Sequence, residues 1–241
     1  MAEAGSTAPP SPYPESPGEV PQKEAPWSPL RGTDALIGLG AILVGLMVSG
    51  GIVFALVKGE PAQTLVALVP QGILFLGVPI AIAASRVSSR PWRVVGFVPF
   101  KRSDLWLVAA GMGMQIAVSA LFILFFFEPE QDTLVEDFEE STIAAIATAL
   151  LVVIVAPITE ETLFRGLFFG ALRSHSSFWV AGVASGLLFG AVHLGQGDIA
   201  VGGLLAFFGL ILAWLYERTG SLGPPIALHM LNNTIAFITL I

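Results

Sequence analysis

Long apolar runs separated by short polar stretches organise the chain from residue 35 onward. Seven runs stand out, at 35–57, 63–84, 105–127, 141–159, 178–196, 199–216 and 224–241. Each reaches or approaches the about 20 residues that a membrane-spanning helix needs, the last three being the shortest. The pattern predicts an all-α fold, a polytopic bundle of about seven transmembrane helices. The fourth run can continue as helix through "EETLFRGLFFGALRS" towards Ser174. Ahead of the runs, "STAPPSPYPESPGEVPQKEAPWSP" is rich in Pro, Ser and Glu and has no apolar period. It cannot bury a core, so residues 1–31 read as a disordered tail. The tail lacks the charged start, short apolar run and small-residue cleavage site of a signal peptide. Two further zones follow: 32–140, with the first three spans and an acidic loop, and 141–241, where polar residues interrupt the apolar runs.

Composition strengthens the membrane reading. The chain of 241 residues is 54% hydrophobic and only 12% charged, whereas soluble domains usually carry about 25% charged residues. There is no cysteine, which excludes disulfides, thiol catalysis and cysteine-ligated metal. No basic tract or nucleic-acid motif is present, so the bilayer is the expected surroundings and no nucleic-acid partner is expected. The net charge of −7 hides a segregation of signs. The stretch after the second span holds Arg86, Arg90, Arg93, Lys101 and Arg102, while "EPEQDTLVEDFEE" after the third holds seven acids and no base. The positive-inside rule makes the basic stretch cytoplasmic. Alternation then puts the N-terminus, Arg165, Arg173 and Arg218 on the same side and leaves only Lys58 outside.

Three polar clusters interrupt the last four runs. The first is Glu160, Glu161 and Arg165. Glu161 and Arg165 are four apart, so on a helix they share a face in the favourable acid-first order. Glu160 is turned about 100° away from them and is free to face something else. The second is "FGAVH", in which Phe189 and His193 share a face. Gly182, Gly186 and Gly190 form a ridge just before it, which lets a neighbouring helix come close. The third is "HMLNN", in which His229 shares a face with Asn232 and Asn233. Packing and interhelical hydrogen bonds alone could account for each cluster taken singly. Together they bring a carboxylate, two imidazoles and a carboxamide into separate spans, and polar side chains in spans usually face the bundle interior and mark function.

Such a set can support hydrolysis. A carboxylate or imidazole can take a proton from water, and imidazole or carboxamide donors can stabilise an oxyanion. Alternatively, Glu160, His193 and His229 could bind Zn²⁺ with one position open for water. The HExxH pattern and the Gly-x-Ser-x-Gly elbow are both absent.

"EETLFR", "FGAVH" and "HMLNN" match, in order, the EExxxR, FxxxH and HxxxN motifs of a known family. The chain resembles the CPBP intramembrane proteases, whose eukaryotic branch includes the Rce1-type CAAX prenyl proteases. The resemblance covers about Ser141 to Ile241. It implies that Glu160 is the general base, that His193 helps it activate water, and that His229 and Asn233 form the oxyanion site. It also implies that Glu161 and Arg165 hold the helix, with Phe189 beside them, and it selects Asn233 over Asn232. The implied activity is cleavage of peptide bonds in membrane-embedded or lipid-anchored protein or peptide substrates. Members act on prenylated C-termini, in bacteriocin production and self-immunity, and on peptide signals or sorting tails. No cofactor is favoured, zinc being the alternative. The compact chain looks bacterial, which points to the inner (plasma) membrane and away from prenylated substrates.

One geometric difficulty accompanies this reading. If the spans were straight rods, Glu160 would sit towards the inner side, while His193 would lie about 22 Å up its own span. Catalysis requires Glu160 and His193 to come within reach of one bridging water. A proton-linked transporter would use the same residue types, although no inverted repeat is visible. A catalytically silent binder of membrane peptides is a further alternative.

Overall fold

The computed structural model describes residues 29–57, 60–86, 89–126, 142–194 and 199–240. The acidic loop at 128–140 and nearly all of the Pro-rich tail lie outside the described residues. No strand occurs among the described residues. The helices are α1 (Gly32–Leu56), α2 (Glu60–Arg86), the short α3 (Pro91–Val94), α4 (Leu105–Phe126), α5 (142–173), α6 (Phe178–Val192), α7 (Ile199–Thr219) and α8 (Gly223–Leu240). The chain is a multi-pass membrane protein with an all-α fold. Five helices are long and apolar enough to cross a bilayer: α1, α2, α4, α5 and α7. α6 is apolar but shorter, and α8 is diluted by His229, Asn232 and Asn233.

The sequence-based boundaries need small corrections. The fourth run continues beyond residue 159 towards Ser174, the extension that its sequence allows. Helix α5 runs on to Arg173, because "LFRGLFFGAL" keeps its apolar residues and carries no breaker. The fifth span ends earlier than expected, at Val192 rather than 196. At the N-terminus the folded part begins before residue 32. Leu30 is buried, its carbonyl accepts from Ser174 Oγ at 2.8 Å, and Arg31 N donates to Asp34 Oδ2 at 2.8 Å.

Helix α5 is the axis of the bundle. One continuous core joins Ile42 of α1, Phe75 of α2, Phe164 of α5, Phe189 of α6, Phe208 of α7 and Leu228 of α8. The zones on either side of residue 140 therefore share one interior. The glycine ridge of α6 does what its spacing predicts, packing against α7. A Cβ on Gly186 would stand 2.6 Å from Ala206 O, and one on Gly190 would overlap Gly202 O. These glycines let two backbones touch, a close approach that membrane helices use in the absence of a hydrophobic driving force between them.

All described Lys and Arg residues except Arg165 collect at one end of the bundle. There Arg86 forms a bidentate ion pair with buried Asp34, tying α2 to α1. Arg173 pairs with Glu217 at 2.9 Å, tying α5 to α7. The chain after α3 turns into the bundle at this end, where Val94, Val95 and Gly96 are buried. Gly96 has φ 103, and a Cβ there would strike the Tyr216 hydroxyl. Tyr216 Oη donates to Val95 O at 3.1 Å, and Leu222 N donates to Gly96 O at 2.9 Å. The result is a short plug across the basic end.

Candidate active site

Two departures from α-helical winding bracket the acids of α5. Leu151–Val155 and Thr162–Phe169 are π-helical, while Ala156–Glu161 between them is α-helical. Such widened turns are rare and often accompany functional sites. The first has a direct consequence. Ala156 N–H reaches back to Leu151 O, so the next donor in that register, for Val152 O, would be residue 157. That residue is proline, which has no N–H. Val152 O is left without a helical partner, and Asn233 Nδ2 of α8 donates to it at 2.9 Å. A carbonyl in need of a donor thus fixes the carboxamide.

Glu161 and Arg165 form the expected pair. Both are fully buried, and Arg165 Nη1 donates to Glu161 Oε1 at 3.0 Å. Arg165 Nη2 donates to Gly209 O of α7 at 2.9 Å, and the guanidinium lies 4.8 Å from the centroid of the Phe189 ring. Glu161 does more than pair with arginine. His229 Nδ1 lies 2.9 Å from the same Oε1. An ionised carboxylate can only accept, so Nδ1 of His229 carries a proton and Nε2 points the other way. Glu161 Oε2 and Arg165 Nε are buried without hydrogen-bond partners among the described residues.

His193 is fixed in the same manner. It is the residue directly after α6, and its Nδ1 lies 2.6 Å from Phe189 O. A carbonyl can only accept, so Nδ1 is the donor and Nε2 is turned to the cavity. Phe189 also packs on both imidazoles, with ring centroids 4.7 Å from His193 and 5.6 Å from His229.

Glu160 lies between the two imidazoles. Its Oε2 is 3.9 Å from His193 Nε2 and 3.9 Å from His229 Nε2, and it has no hydrogen-bond partner among the described residues. These spacings are too long for direct hydrogen bonds and suit bridging by one water. The geometric difficulty of the straight-rod estimate is thereby removed. Because α5 continues to Arg173, Glu160 sits about 20 Å from that end of the helix, close to the about 22 Å that separates His193 from the start of α6.

The structure thus brings Glu160, His193, His229 and Asn233 to one wall of a cavity of about 600 Å³. Sequence reading did not place Gln71 of α2 or Thr148 and Thr159 of α5 there, yet all three line it. Asn232 lines it as well and lies 3.5 Å from Asn233 Oδ1. An isolated Gln in an apolar run carries no spacing signal, so only the packing of α2 on α5 reveals Gln71.

Fold and site together define a membrane protein with a buried carboxylate flanked by two oriented imidazoles at a cavity. Residues 142–235, which carry all four side chains, match the model of the Rce1-like family, described as type II CAAX prenyl endopeptidase Rce1-like. The "Putative membrane peptidase YdiL" of Bacillus subtilis (strain 168) is 39% identical over 85 residues, covering 35% of this chain and 34% of that protein. An "Uncharacterized 24.3 kDa protein" of Escherichia coli is 31% identical over 138 residues, covering 55% of this chain and 62% of that protein. The chain therefore spans less than two thirds of either relative. No solved structure matches.

Proposed function

We propose that the protein is an intramembrane endopeptidase that hydrolyses a peptide bond in a membrane-embedded or lipid-anchored substrate. The observation that carries this reading is the unpartnered Glu160 Oε2, buried and 3.9 Å from each of two Nε2 atoms at a cavity wall. A water held between Glu160 and His193 donates one hydrogen bond to the Nε2 lone pair of His193. Glu160 takes its other proton as the oxygen attacks the substrate carbonyl. Negative charge then develops on the carbonyl oxygen. Asn233 has one Nδ2–H left after Val152 O is served, and it offers that hydrogen to the oxyanion. His229, held by Glu161 at Nδ1, would add a second donor when Nε2 also carries a proton. Collapse breaks the C–N bond, and the proton on Glu160 passes to the departing amine. Glu161, Arg165 and Phe189 position these groups without touching substrate.

A zinc-dependent version has one observation in its favour: both histidines have Nδ1 committed, which leaves both Nε2 atoms in the tautomer that binds metal. Glu160, His193 and His229 would be the ligands, and the ion would supply an acidified water. Ligand atoms on tetrahedral zinc, at bond lengths of about 2.0–2.2 Å, stand about 3.3 Å apart. The two 3.9 Å spacings are wider, and the metal-free reading is preferred. Dialysis against a strong chelator followed by metal analysis and assay decides the matter: activity lost with the metal and restored by Zn²⁺ would favour zinc.

The site motifs and bacterial relatives support a place in a bacterial plasma membrane, with the N-terminus cytoplasmic by the charge rule. The protease reading is tested by following substrates in a deletion strain complemented with wild type or Glu160→Gln. An uncleaved membrane peptide should accumulate with the variant. Equal processing by both would end the assignment.

A further inference from the structure

The cavity has two unlike limbs. Towards the basic end its wall is apolar: Leu39 of α1, Phe75 of α2, and Leu163, Phe164 and Phe168 of α5. Beyond them lies the plug. Gly166 of α5 stands against it so closely that a Cβ would come 2.6 Å from Val95 O. Apolar cavities of this kind stay dry. The opposite limb also has apolar residues, Leu46, Leu68, Leu151 and Val155 among them, but it alone adds Thr159, Asn233, Asn232, Gln71 and Thr148. Gln71 is next to Gly72, where a Cβ would touch Val155 and Thr159 at 3.7 and 3.8 Å, so it lies on the side of Glu160 away from the arginines. Thr148, farther along α5, is 1% exposed, and its hydroxyl has no hydrogen-bond partner among the described residues. His193 also belongs to this side, since α6 ends there and α7 begins at Ile199. The polar limb is the one able to deliver water to Glu160.

The basic end is cytoplasmic by the positive-inside rule. We propose that the cavity opens to the non-cytoplasmic side, so that water and the scissile segment enter from there past Thr148, Gln71 and Asn232. The substrate class follows: a membrane-anchored peptide whose cleaved segment has already been carried across the bilayer. The substrate class rests on the protease reading; the direction of opening does not.

The absence of cysteine makes the test direct. Gln71→Cys, Thr148→Cys and Asn232→Cys place a thiol in the polar limb, and Ser89→Cys places one at the basic end. Each is exposed to a charged, membrane-impermeant thiol reagent in intact cells and in inverted membrane vesicles. The polar-limb thiols should be modified in cells and spared in inverted vesicles, with Ser89→Cys showing the reverse. Polar-limb thiols that react only in inverted vesicles, or from neither side, overturn the proposal. So does Ser89→Cys reacting in intact cells. Having three polar-limb positions keeps the test intact if one variant fails to insert. Labelling needs no proteolysis. If the pattern holds while Glu160→Gln still processes substrate, the protease reading falls and the sidedness stands. If Glu160 is essential but the polar limb reacts only from the cytoplasm, the sidedness alone falls.

Discussion

Glu160 and Glu161 are neighbours on one helix, yet the two faces of α5 that they occupy are built to opposite ends. The Glu161 face is closed: one carboxylate oxygen takes both Arg165 and His229, and arginine reaches across to Gly209 O. The Glu160 face ends at a cavity, with an oxygen that has no hydrogen-bond partner among the described residues. An ion costs several kcal/mol to bury, and a good partner offsets much of that. Where a guanidinium and an imidazole both reach one carboxylate oxygen, the charge becomes a rivet between helices. Where they are withheld at the right distance, the carboxylate stays available to water. The comparison teaches that function is marked here by a carboxylate with no charged group within hydrogen-bonding distance, since burial, and one oxygen without a partner among the described residues, are common to both.

This contrast can be broken at several points. Glu160→Gln should lower processing by about 10²–10⁴-fold, the usual scale of general-base catalysis, with the thermal midpoint in detergent unchanged. Full activity would remove Glu160 from the chemistry. Arg165→Ala should act on the other face, costing about 3–5 kcal/mol of stability, as removal of one partner from a buried pair does. Yield and thermal midpoint measure it. Wild-type yield with no activity would instead move Arg165 into the chemistry.

Smaller effects sharpen the picture. Asn233→Ala should lower kcat by about 10²–10³-fold with little change in KM, the signature of a lost oxyanion donor. A rise in KM alone would make Asn233 a binding residue. Gly190→Ala touches neither acid. It should cost about 1–3 kcal/mol by overpacking the contact of α6 with α7, read as a lower thermal midpoint. An unchanged midpoint would mean that the ridge does not need its glycines.

Much of this was legible along the chain. The i,i+4 spacing of Glu161 and Arg165 is a local property of helices, and the pair forms as that spacing requires. The glycine row and most of the apolar runs are similarly local, and they appear as helices with modest shifts at their ends. The approach of Glu160 to His193 was not legible by simple reckoning. It depends on α5 continuing past its charges to Arg173, which the sequence allowed without requiring, and on α6 stopping before His193, which a hydropathy run does not report. The bond from Asn233 to Val152 O was hidden for a different reason: it needs a π-turn, a proline at its far end, and a second helix alongside.

By itself, then, the order of residues determined the membrane setting, the all-helical class and the identity of the polar side chains, because hydropathy and helical periodicity are properties of short stretches. Only the tertiary structure decided which carboxylate would be locked to a guanidinium and an imidazole and which would face the cavity. That choice depends on groups brought from elsewhere in the chain, the Gly209 carbonyl of α7 for Arg165 and the His229 imidazole of α8 for Glu161, and on the shape of the space that remains once α6, α7 and α8 have packed around α5.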